Sequence, residues 1–240
     1  MAFVNSNQTR LIYGTNPLAA YLKSATPAFA ADMLDTTTLA DTSKVYAVGL
    51  TEYMLNVDGL FDSTTTAGDV WANITADIAA GTTEPVSVAS EGFAVGNSVW
   101  VLPVKVATYE VGGSVADLVT FTMSMQAAIA PAVGRSLSDL TAYTATTNGT
   151  SVDNAAASSN GAVANLHVTA RSGTSPTLAV TIQHSTNNST WTTLATFTTA
   201  TAVTSETVTV AGTVNRYTRA VFTVGGTSPS FTAQVSLARK

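Results

Sequence analysis

Apolar and polar residues alternate along two neighbouring segments near the middle of the chain, which is the spacing of β-strands. The apolar positions are Trp100, Leu102, Val104 and Val106 in the first segment, and Val115, Val119, Phe121, Met123 and Met125 in the second. Lys105 and Tyr109 share the other parity of the first segment. Gly112 and Gly113 separate the segments and can adopt the positive φ angles of a tight turn. The pattern predicts a long antiparallel hairpin over residues 97–126.

The rest of the first half contains further segments with strand character. Alternation or apolar clustering predicts strands at 10–13, 44–58 and 85–89. We expect the second of these strands to be broken near Gly49. Pro17 and Pro27 forbid a continuous helix, so residues 28–34 are expected to form an extended arm or edge strand, with a surface loop as the alternative.

One segment has the period of a helix. Val70, Ile74 and Ile78 recur every four residues, which predicts an amphipathic helix over about residues 66–80. Thr66 can cap its N-terminus, and Gly81 can supply the left-handed residue that ends it. The apolar side of this helix must cover a sheet.

Beyond Pro131 the chain has the pattern of short strands throughout. They are predicted at 140–146, 163–171, 177–184, 191–198, 206–211, 216–224 and 230–238. Seven short strands predict a β-sandwich of immunoglobulin-like size. The tetrad Gly-Thr-Ser-Pro occurs at 173–176 and again at 226–229, which predicts two hairpins with the same turn chemistry. We therefore expect a mainly β chain with two domains, residues 1–133 and 134–240.

Charge divides the chain at the same place. Residues 1–133 hold four basic and twelve acidic side chains, a net charge of −8, whereas residues 134–240 hold six basic and three acidic side chains, a net charge of +3. Cysteine is absent, which excludes disulfides and zinc–thiolate sites. Residues 1–10 show no secretory signal, and no apolar run approaches the roughly 20 residues of a membrane span. We expect a soluble protein made in a cytoplasm.

A search for catalytic or metal-binding residues gives few candidates. His167 and His184 lie on predicted strands without a carboxylate nearby in sequence, so we expect both to be exposed strand residues. The acidic side chains Asp32, Asp35, Asp41, Asp58 and Asp62 form two loose groups whose spacing matches no EF-hand loop. Phosphate-binding loops and nucleophile elbows are missing. We expect no enzyme activity, no cofactor and no bound metal.

Several segments together resemble the major tail tube protein of long, non-contractile-tailed bacteriophages. They are Asp35-Thr36-Thr37-Thr38 before a strand, Val57-Asp58-Gly59-Leu60 before the helix, and the wide hairpin with Gly112-Gly113. The second half is similar to immunoglobulin-like domains appended to phage structural proteins, through Trp191, Arg216-Tyr217 and Arg219. Arg216, Arg219 and Arg239 form either a basic patch or a solvated strand face.

The resemblance implies a structural protein of the virion, assembled in the host cytoplasm. Each subunit of such a protein contributes strands to a closed barrel, commonly a hexameric ring, and stacked rings conduct viral DNA during ejection. The helix lies outside the barrel, and an N-terminal arm or long loop reaches the adjacent ring. The implied partners are other copies of the chain, the tape measure, terminator and distal tail proteins, and DNA that passes without specific binding. The appended domain would lie on the tube exterior, where it could contact cell-surface glycans weakly.

The acidic balance of the first half bears on which residues would line such a channel. Each Lys or Arg contact to a phosphate adds affinity through counterion release, so a cation-poor wall keeps DNA mobile. The candidate lumen-facing residues are Glu52, Asn56, Asp58, Thr120, Thr122 and Ser124. The polar side of these strands could equally be the outside of the tube. The alternative functions are a capsid decoration protein or a carbohydrate-binding adhesin; a secreted β-rich hydrolase would need a signal peptide and a cluster of catalytic acids.

Overall fold

The computed structural model describes residues 8–18, 21–61 and 70–240. In these residues the chain forms fifteen strands, all paired antiparallel, and one helix, which confirms the mainly β fold class. The strands are β1 Arg10–Tyr13, β2 Asn16–Pro17, β3 Leu22–Asp35, β4 Tyr46–Leu60, β5 Glu84–Ala89, β6 Ser98–Gly112, β7 Thr120–Ala127, β8 Ala132–Ser136, β9 Thr141–Tyr143, β10 Thr147–Asn148, β11 Val152–Asp153, β12 Ala162–Ser185, β13 Thr192–Thr196, β14 Thr204–Val210 and β15 Tyr217–Arg239. The helix is α1 Val70–Ala80.

Four strands of the first half form a sheet in the order β3-β4-β7-β6. The hairpin predicted over residues 97–126 is confirmed as β6 and β7. The segment expected to be an extended arm or edge strand lies in β3, which pairs with β4 alone, and an edge position tolerates the missing N–H of Pro27. β4 continues through Gly49 as one strand, but its register with β3 shifts there, between Ala31↔Thr51 and Met33↔Val48, so the expected break is a local irregularity of pairing.

The turn between β6 and β7 differs from the prediction. The strands pair up to Gly112↔Thr120, so a loop of residues 113–119 joins them, and no tight turn forms at the glycine pair. In this loop Ala116, and neither glycine, has a positive φ angle, at 71°. Val115 therefore lies in the loop with its side chain fully exposed, although its parity assigned it to the strand.

The helix ends where the sequence predicts. Gly81 adopts a φ angle of 64°, its N–H donates to the carbonyl of Ile78, and the N–H of Thr82 donates to the carbonyl of Asp77. This pair of hydrogen bonds is a Schellman motif. Ile74 is fully buried under the helix, which packs on β6. The predicted N-cap, Thr66, lies outside the described residues.

The second half is built on two long strands that pair along their whole length. β12 and β15 pair from Ala162↔Arg239 to Ser185↔Tyr217, with irregular register around residues 168–177. The prediction of two separate hairpins is wrong, because the two Gly-Thr-Ser-Pro tetrads pair with each other. Gly173 and Gly226 have φ angles of 108° and 109°. Both segments of each long strand line one core, which includes Leu166, Val168, Leu178, Val180, Ile182, Phe222, Phe231 and Val235.

Buried apolar side chains form three clusters. One lies within residues 11–125 and a second within residues 137–237. The third joins the halves, since it combines Val99 and Val101 of β6 with Val163 of β12. The proposed boundary between residues 133 and 134 falls inside β8, which pairs with both β6 and β15. The division into two domains stays a prediction.

Candidate functional site

All six candidate residues lie on one side of the β4–β7 pair. Residues directly opposite in an antiparallel pair project from the same side, and the register aligns Asn56 with Ser124 and Asp58 with Thr122. Glu52 continues this side along β4, and Thr120 continues it along β7. The other side carries the buried side chains Leu55, Val57, Phe121, Met123 and Met125. The alternation therefore identified a contiguous polar surface, and its place in a channel remains a prediction.

The polar surface extends onto the neighbouring strands. Ser24 and Thr26 of β3 lie opposite Asp58 and Asn56, and Glu110 and Thr108 of β6 lie opposite Thr122 and Ser124. We call these residues, with the six candidates, Lys105 and Gln126, the polar face. Hydrogen bonds tie neighbouring strands together across it. Ser24 Oγ donates to Asp58 Oδ2 at 2.7 Å, and Gln126 Nε2 donates to Glu52 Oε1.

A β-bulge explains why sequence reasoning missed the β6 members of the polar face. The register shifts between Val106 and Thr108, so Val106 lies opposite Met125 and Thr108 opposite Ser124. These two even-numbered residues consequently project from opposite sides of the sheet. The same shift separates Lys105, on the polar face, from Tyr109, which packs on the apolar side.

The polar face is acidic. At the positions that the register fixes, it carries the carboxylates Glu52, Asp58 and Glu110 against the single ammonium group of Lys105. Most of the remaining positions carry hydroxyl or amide side chains, and a few carry small or apolar residues such as Met54. A surface of this composition repels phosphate and offers it a single cationic group at these positions.

Both edges of this sheet have unpaired lengths in the described part of the chain. β3 pairs with β4 on one side and with no strand on the other. β6 pairs with β7 along residues 104–112, whereas β5 covers its other edge only up to Glu84↔Val104. An uncovered backbone edge is a template for pairing with another strand.

The β3–β4 hairpin extends past the end of β7 as a two-stranded arm, residues 30–51. β4 pairs with β7 only from Met54 onward, so no third strand accompanies the arm. Its exposed apolar side chains are Met33, Leu34, Leu39, Val45, Tyr46, Val48 and Leu50. Apolar exposure on this scale marks an interaction surface.

The acidic-threonine segment forms the turn of the arm. The N–H of Thr38 donates to Asp41 Oδ2 at 2.7 Å, and the N–H of Thr37 donates to Asp35 Oδ1 at 3.0 Å. Hydrogen bonds from these threonines lower the pKa of both carboxyl groups. These acids therefore shape a turn. Asp62, the last member of the second acidic group, lies outside the described residues.

A second exposed apolar segment lies at the opposite end of the sheet. The tip loop, residues 113–119, exposes Val115, Leu118 and Val119. β4 runs from the arm to Leu60, which pairs with Thr120 next to this loop. The arm and the tip loop therefore occupy opposite ends of the same strands.

His167 is buried, so its expected exposure is wrong. Its Nδ1 lies 2.7 Å from the carbonyl oxygen of Gly14, which can only accept, so Nδ1 carries the proton. Nε2 then accepts from the hydroxyl of Ser87 at 2.8 Å, and Ser87 Oγ lies 3.0 Å from Ser236 Oγ. Nearby, Asn165 donates to the carbonyl of Val86 at 2.9 Å. We call these residues together the joint between the halves. Burial lowers the pKa of His167 to about 4.

Two acidic side chains, Asp77 and Glu84, make hydrogen bonds near the joint. Tyr13 donates its hydroxyl to Asp77 Oδ2 of α1 at 2.8 Å, and burial together with this carboxylate raises the pKa of Tyr13. Ser205 of β14 donates to Glu84 Oε2 at 3.1 Å. Burial, and then the charge of Asp77, raises the pKa of Glu84. These contacts tie β1, α1, β5 and β14 together.

The three C-terminal arginines are each engaged by other parts of the chain. Arg216 makes a two-point ion pair with Asp153, at 2.6 and 2.7 Å, which lowers the pKa of Asp153 to about 2. Arg219 lies over the ring of Trp191, with its guanidinium carbon 4.2 Å from the centroid. Arg239 donates to the backbone carbonyl of Ala156 at 2.6 Å. Each of them therefore makes structural contacts.

Neither a metal site nor a membrane-spanning helix was found in residues 8–18, 21–61 and 70–240. No three His, Asp or Glu side chains there are grouped as ligands for an ion. No helix in the same residues is long and apolar enough to cross a membrane. His184, the second histidine, is half-buried and its Nδ1 accepts from the N–H of Asn215 at 3.1 Å.

Comparison with solved structures gives matches of low identity and low TM-score. No protein-family model and no curated protein matches the chain. A chain in the virion of a native gene transfer agent particle is 16% identical, with 54% of this chain and 97% of that chain covered and a TM-score of 0.43. The SPP1 tail tube is 11% identical, with 55% and 78% covered and a TM-score of 0.44. The SPP1 Dit (gp 19.1) protein is 12% identical, with 96% and 98% covered and a TM-score of 0.41.

Proposed function

We propose that the chain is a structural, non-enzymatic protein of a bacteriophage tail, in which copies close into rings and the rings stack into a tube for DNA. The observation that supports this most directly is the geometry of the β3-β4-β7-β6 sheet. It has an acidic polar face, two edges with unpaired lengths and exposed apolar segments at its two ends. A wall segment needs all of these features, whereas a monomeric domain gains nothing from them.

Ring closure would pair the free edge of β3 with residues 105–112 of β6 in the next copy. Six copies of a four-stranded sheet give a wall of about 24 strands. At about 4.8 Å between strands and a tilt of about 40°, its circumference is about 150 Å and its backbone diameter roughly 50 Å. Closure satisfies the backbone groups of both edges, and it places the polar face on the channel side if α1 is outside.

The packing of α1 supports this choice of side. Trp71 of α1 contacts Tyr109 of β6 at 5.4 Å between ring centroids, on the side opposite the polar face. With α1 outside, Glu52, Asp58 and the hydroxyl side chains line the channel. DNA would then pass a surface that binds phosphate weakly, as ejection into a host requires.

Stacking would bring the arm of one copy against the tip loop of a copy in the next ring. Both are apolar and exposed, and they lie at opposite ends of the same strands. Such a head-to-tail contact repeats without closing and gives a tube of defined direction. Tape measure, terminator and distal tail proteins would bind the free ends of this tube.

The second half, including its immunoglobulin-like sandwich, would lie on the tube exterior as a separate domain of residues 134–240. The joint fixes it to β5, outside the polar face. Many copies along a tube would multiply weak contacts with cell-envelope glycans. With this arrangement, we expect tubes to bind a glycan array more strongly than unassembled protein does.

Electron microscopy of the purified protein at high concentration tests the proposal. We expect negatively stained rings or cylinders with a wall diameter of roughly 50 Å. Discrete particles at every concentration would contradict the tube and favour a capsid decoration protein or an adhesin. Analytical ultracentrifugation on the same samples separates assembled rings from irregular aggregates.

A further inference from the structure

Two arginines from different strands line one polar groove between the halves. Arg135 of β8 and Arg239 of β15 meet there with Ser98 of β6 and Asn154, around a volume of about 240 Å³. The strands approach closely at this point, since a Cβ on Gly134 would lie 2.1 Å from the carbonyl oxygen of Leu237. The groove is therefore part of the rigid junction of β6, β8 and β15.

The groove has an excess of positive charge. No Asp or Glu lines it, and neither arginine has a carboxylate within ion-pair distance in the described residues. Burial, followed by the charge of Arg135, lowers the pKa of Arg239. In a chain whose net charge is −5, two close guanidinium groups that no carboxylate of the described residues neutralises need a separate explanation.

The hydrogen bonds of the two guanidinium groups leave donors unused. Arg135 Nη1 donates to the carbonyl of Gly96 at 3.1 Å and to Ser98 Oγ at 3.2 Å. Arg239 donates from Nη1 to Ala156 and from Nη2 to the carbonyl of Asn154 at 3.2 Å. In the described part of the chain, Nε of both side chains and Nη2 of Arg135 make no hydrogen bond.

We propose that this groove binds an oxyanion, a carboxylate or a phosphate group, between Arg135 and Arg239. The guanidinium fork matches the spacing of two oxygens in either group, and a shared anion removes the repulsion between the two cations. The backbone carbonyls that hold Arg239 orient its side chain before the anion arrives. The anion comes either from solution or from an acidic side chain of a second copy, of which the first half supplies many.

Titration with inorganic phosphate at constant ionic strength tests the site on unassembled protein, so the result does not depend on tube formation. We expect saturable shifts of the arginine Nε–H NMR signals. Arg135→Gln should weaken phosphate binding at least about tenfold, because it removes a charge-assisted fork. Arg171→Gln, which makes the same change at an exposed arginine of β12, should leave it unchanged. Shifts that do not saturate, or equal affinity in Arg135→Gln, would overturn the proposal.

Self-association measured with and without phosphate identifies the source of the anion. If phosphate weakens self-association of the wild type, and the Arg135→Gln substitution also weakens self-association without phosphate, the ligand is a carboxylate of a second copy. If phosphate binds saturably and association does not change, the ligand is a free phosphate group. Absence of both saturable binding and any effect on association contradicts the site. Circular dichroism and a thermal melt verify that each variant is folded.

Discussion

The buried imidazole of His167 makes the joint between the halves sensitive to acid, because both ring nitrogens are already engaged. Protonation would give Nε2 a hydrogen facing the hydroxyl of Ser87, which would have to turn its own hydrogen away. Nδ1 already donates to Gly14 and keeps its partner. The positive charge would also lie in a site that water does not reach. The histidine is therefore held neutral by the packing of the two halves around it.

We expect the free energy of unfolding to fall between pH 6.5 and pH 4 because of His167. Its pKa is about 4 in the folded chain against an ordinary value of 6.5, so in this window the unfolded chain binds more protons. The contribution is present in full above pH 6.5 and falls by about 3 kcal/mol as the pH reaches 4. Urea unfolding at several pH values measures it.

His167→Gln should remove most of this pH dependence, whatever its effect on stability at neutral pH. His184→Gln is the matched control and should keep most of the dependence, because His184 is only half-buried. Parallel curves for His167→Gln and the wild type between pH 6.5 and 4 would contradict the assignment.

Gly173 is required by both its backbone angle and its surroundings. Its φ angle of 108° is a region that side chains rarely adopt, and a Cβ would lie 2.7 Å from the carbonyl oxygen of Ser228. We expect Gly173→Ala to lower the free energy of unfolding by about 3 kcal/mol, and Gly226→Ala to act similarly. Gly212→Ala is the control, since Gly212 has a φ angle of 85° but no atom within 4 Å of its Cβ. Equal thermal melts for Gly173→Ala and Gly212→Ala would show that the close contact carries no cost.

At the scale of elements, local patterns predicted the strands and only partly predicted how they pair. Alternation identified the polar side of β4 and β7, because period-two spacing alone fixes it. The bulge at Val106 and Thr108 changes parity without any glycine to mark it, so Glu110 was missed. The pairing of β12 with β15 was also missed, because repeated turn residues suggest local hairpins. The burial of His167 depends on Gly14, 153 positions away in the sequence, which no local signal contains.

The arm should control stacking without controlling the fold. Leu39 and Leu50 are among its most exposed apolar residues, and neither belongs to a buried cluster. We expect the double variant Leu39→Asp/Leu50→Asp to fold with an unchanged thermal melt, because the changes replace exposed side chains. It should form rings but few or no long tubes, because charged groups would replace apolar ones at the contact with the tip loop.

Val203→Asp tests whether any exposed apolar-to-acid change has the same effect, since Val203 is 44% exposed in the second half. We expect tubes of normal length from this variant. Tubes of normal length from the arm variant as well would exclude the arm from stacking. Electron microscopy gives the length distributions.

At the scale of the whole molecule, the unequal charge of the two halves agrees with the proposed tube. In that proposal the half with a net charge of −8 would provide the channel wall, and the half with +3 would lie outside. Each subunit exposes three carboxylates and one ammonium group on the polar face. Repeated around the proposed ring and along the proposed tube, this imbalance would give a continuous negative surface that repels DNA from the wall on all sides.

Reversing the charge of the polar face should slow DNA ejection without preventing assembly of the tube. Glu52→Lys/Asp58→Lys replaces two negative charges on the polar face by two positive ones, a change of +4 per subunit, and neither side chain contributes to an apolar core. Tubes should form normally, whereas counterion release should make the wall bind DNA and slow ejection about tenfold or more, less so at high salt. Glu91→Lys/Asp139→Lys makes the same charge change at exposed acids outside the polar face and should eject DNA at the wild-type rate. Ejection timed by fluorescence of a DNA-binding dye distinguishes the outcomes, and equal rates for both double variants would place the polar face on the outside of the tube.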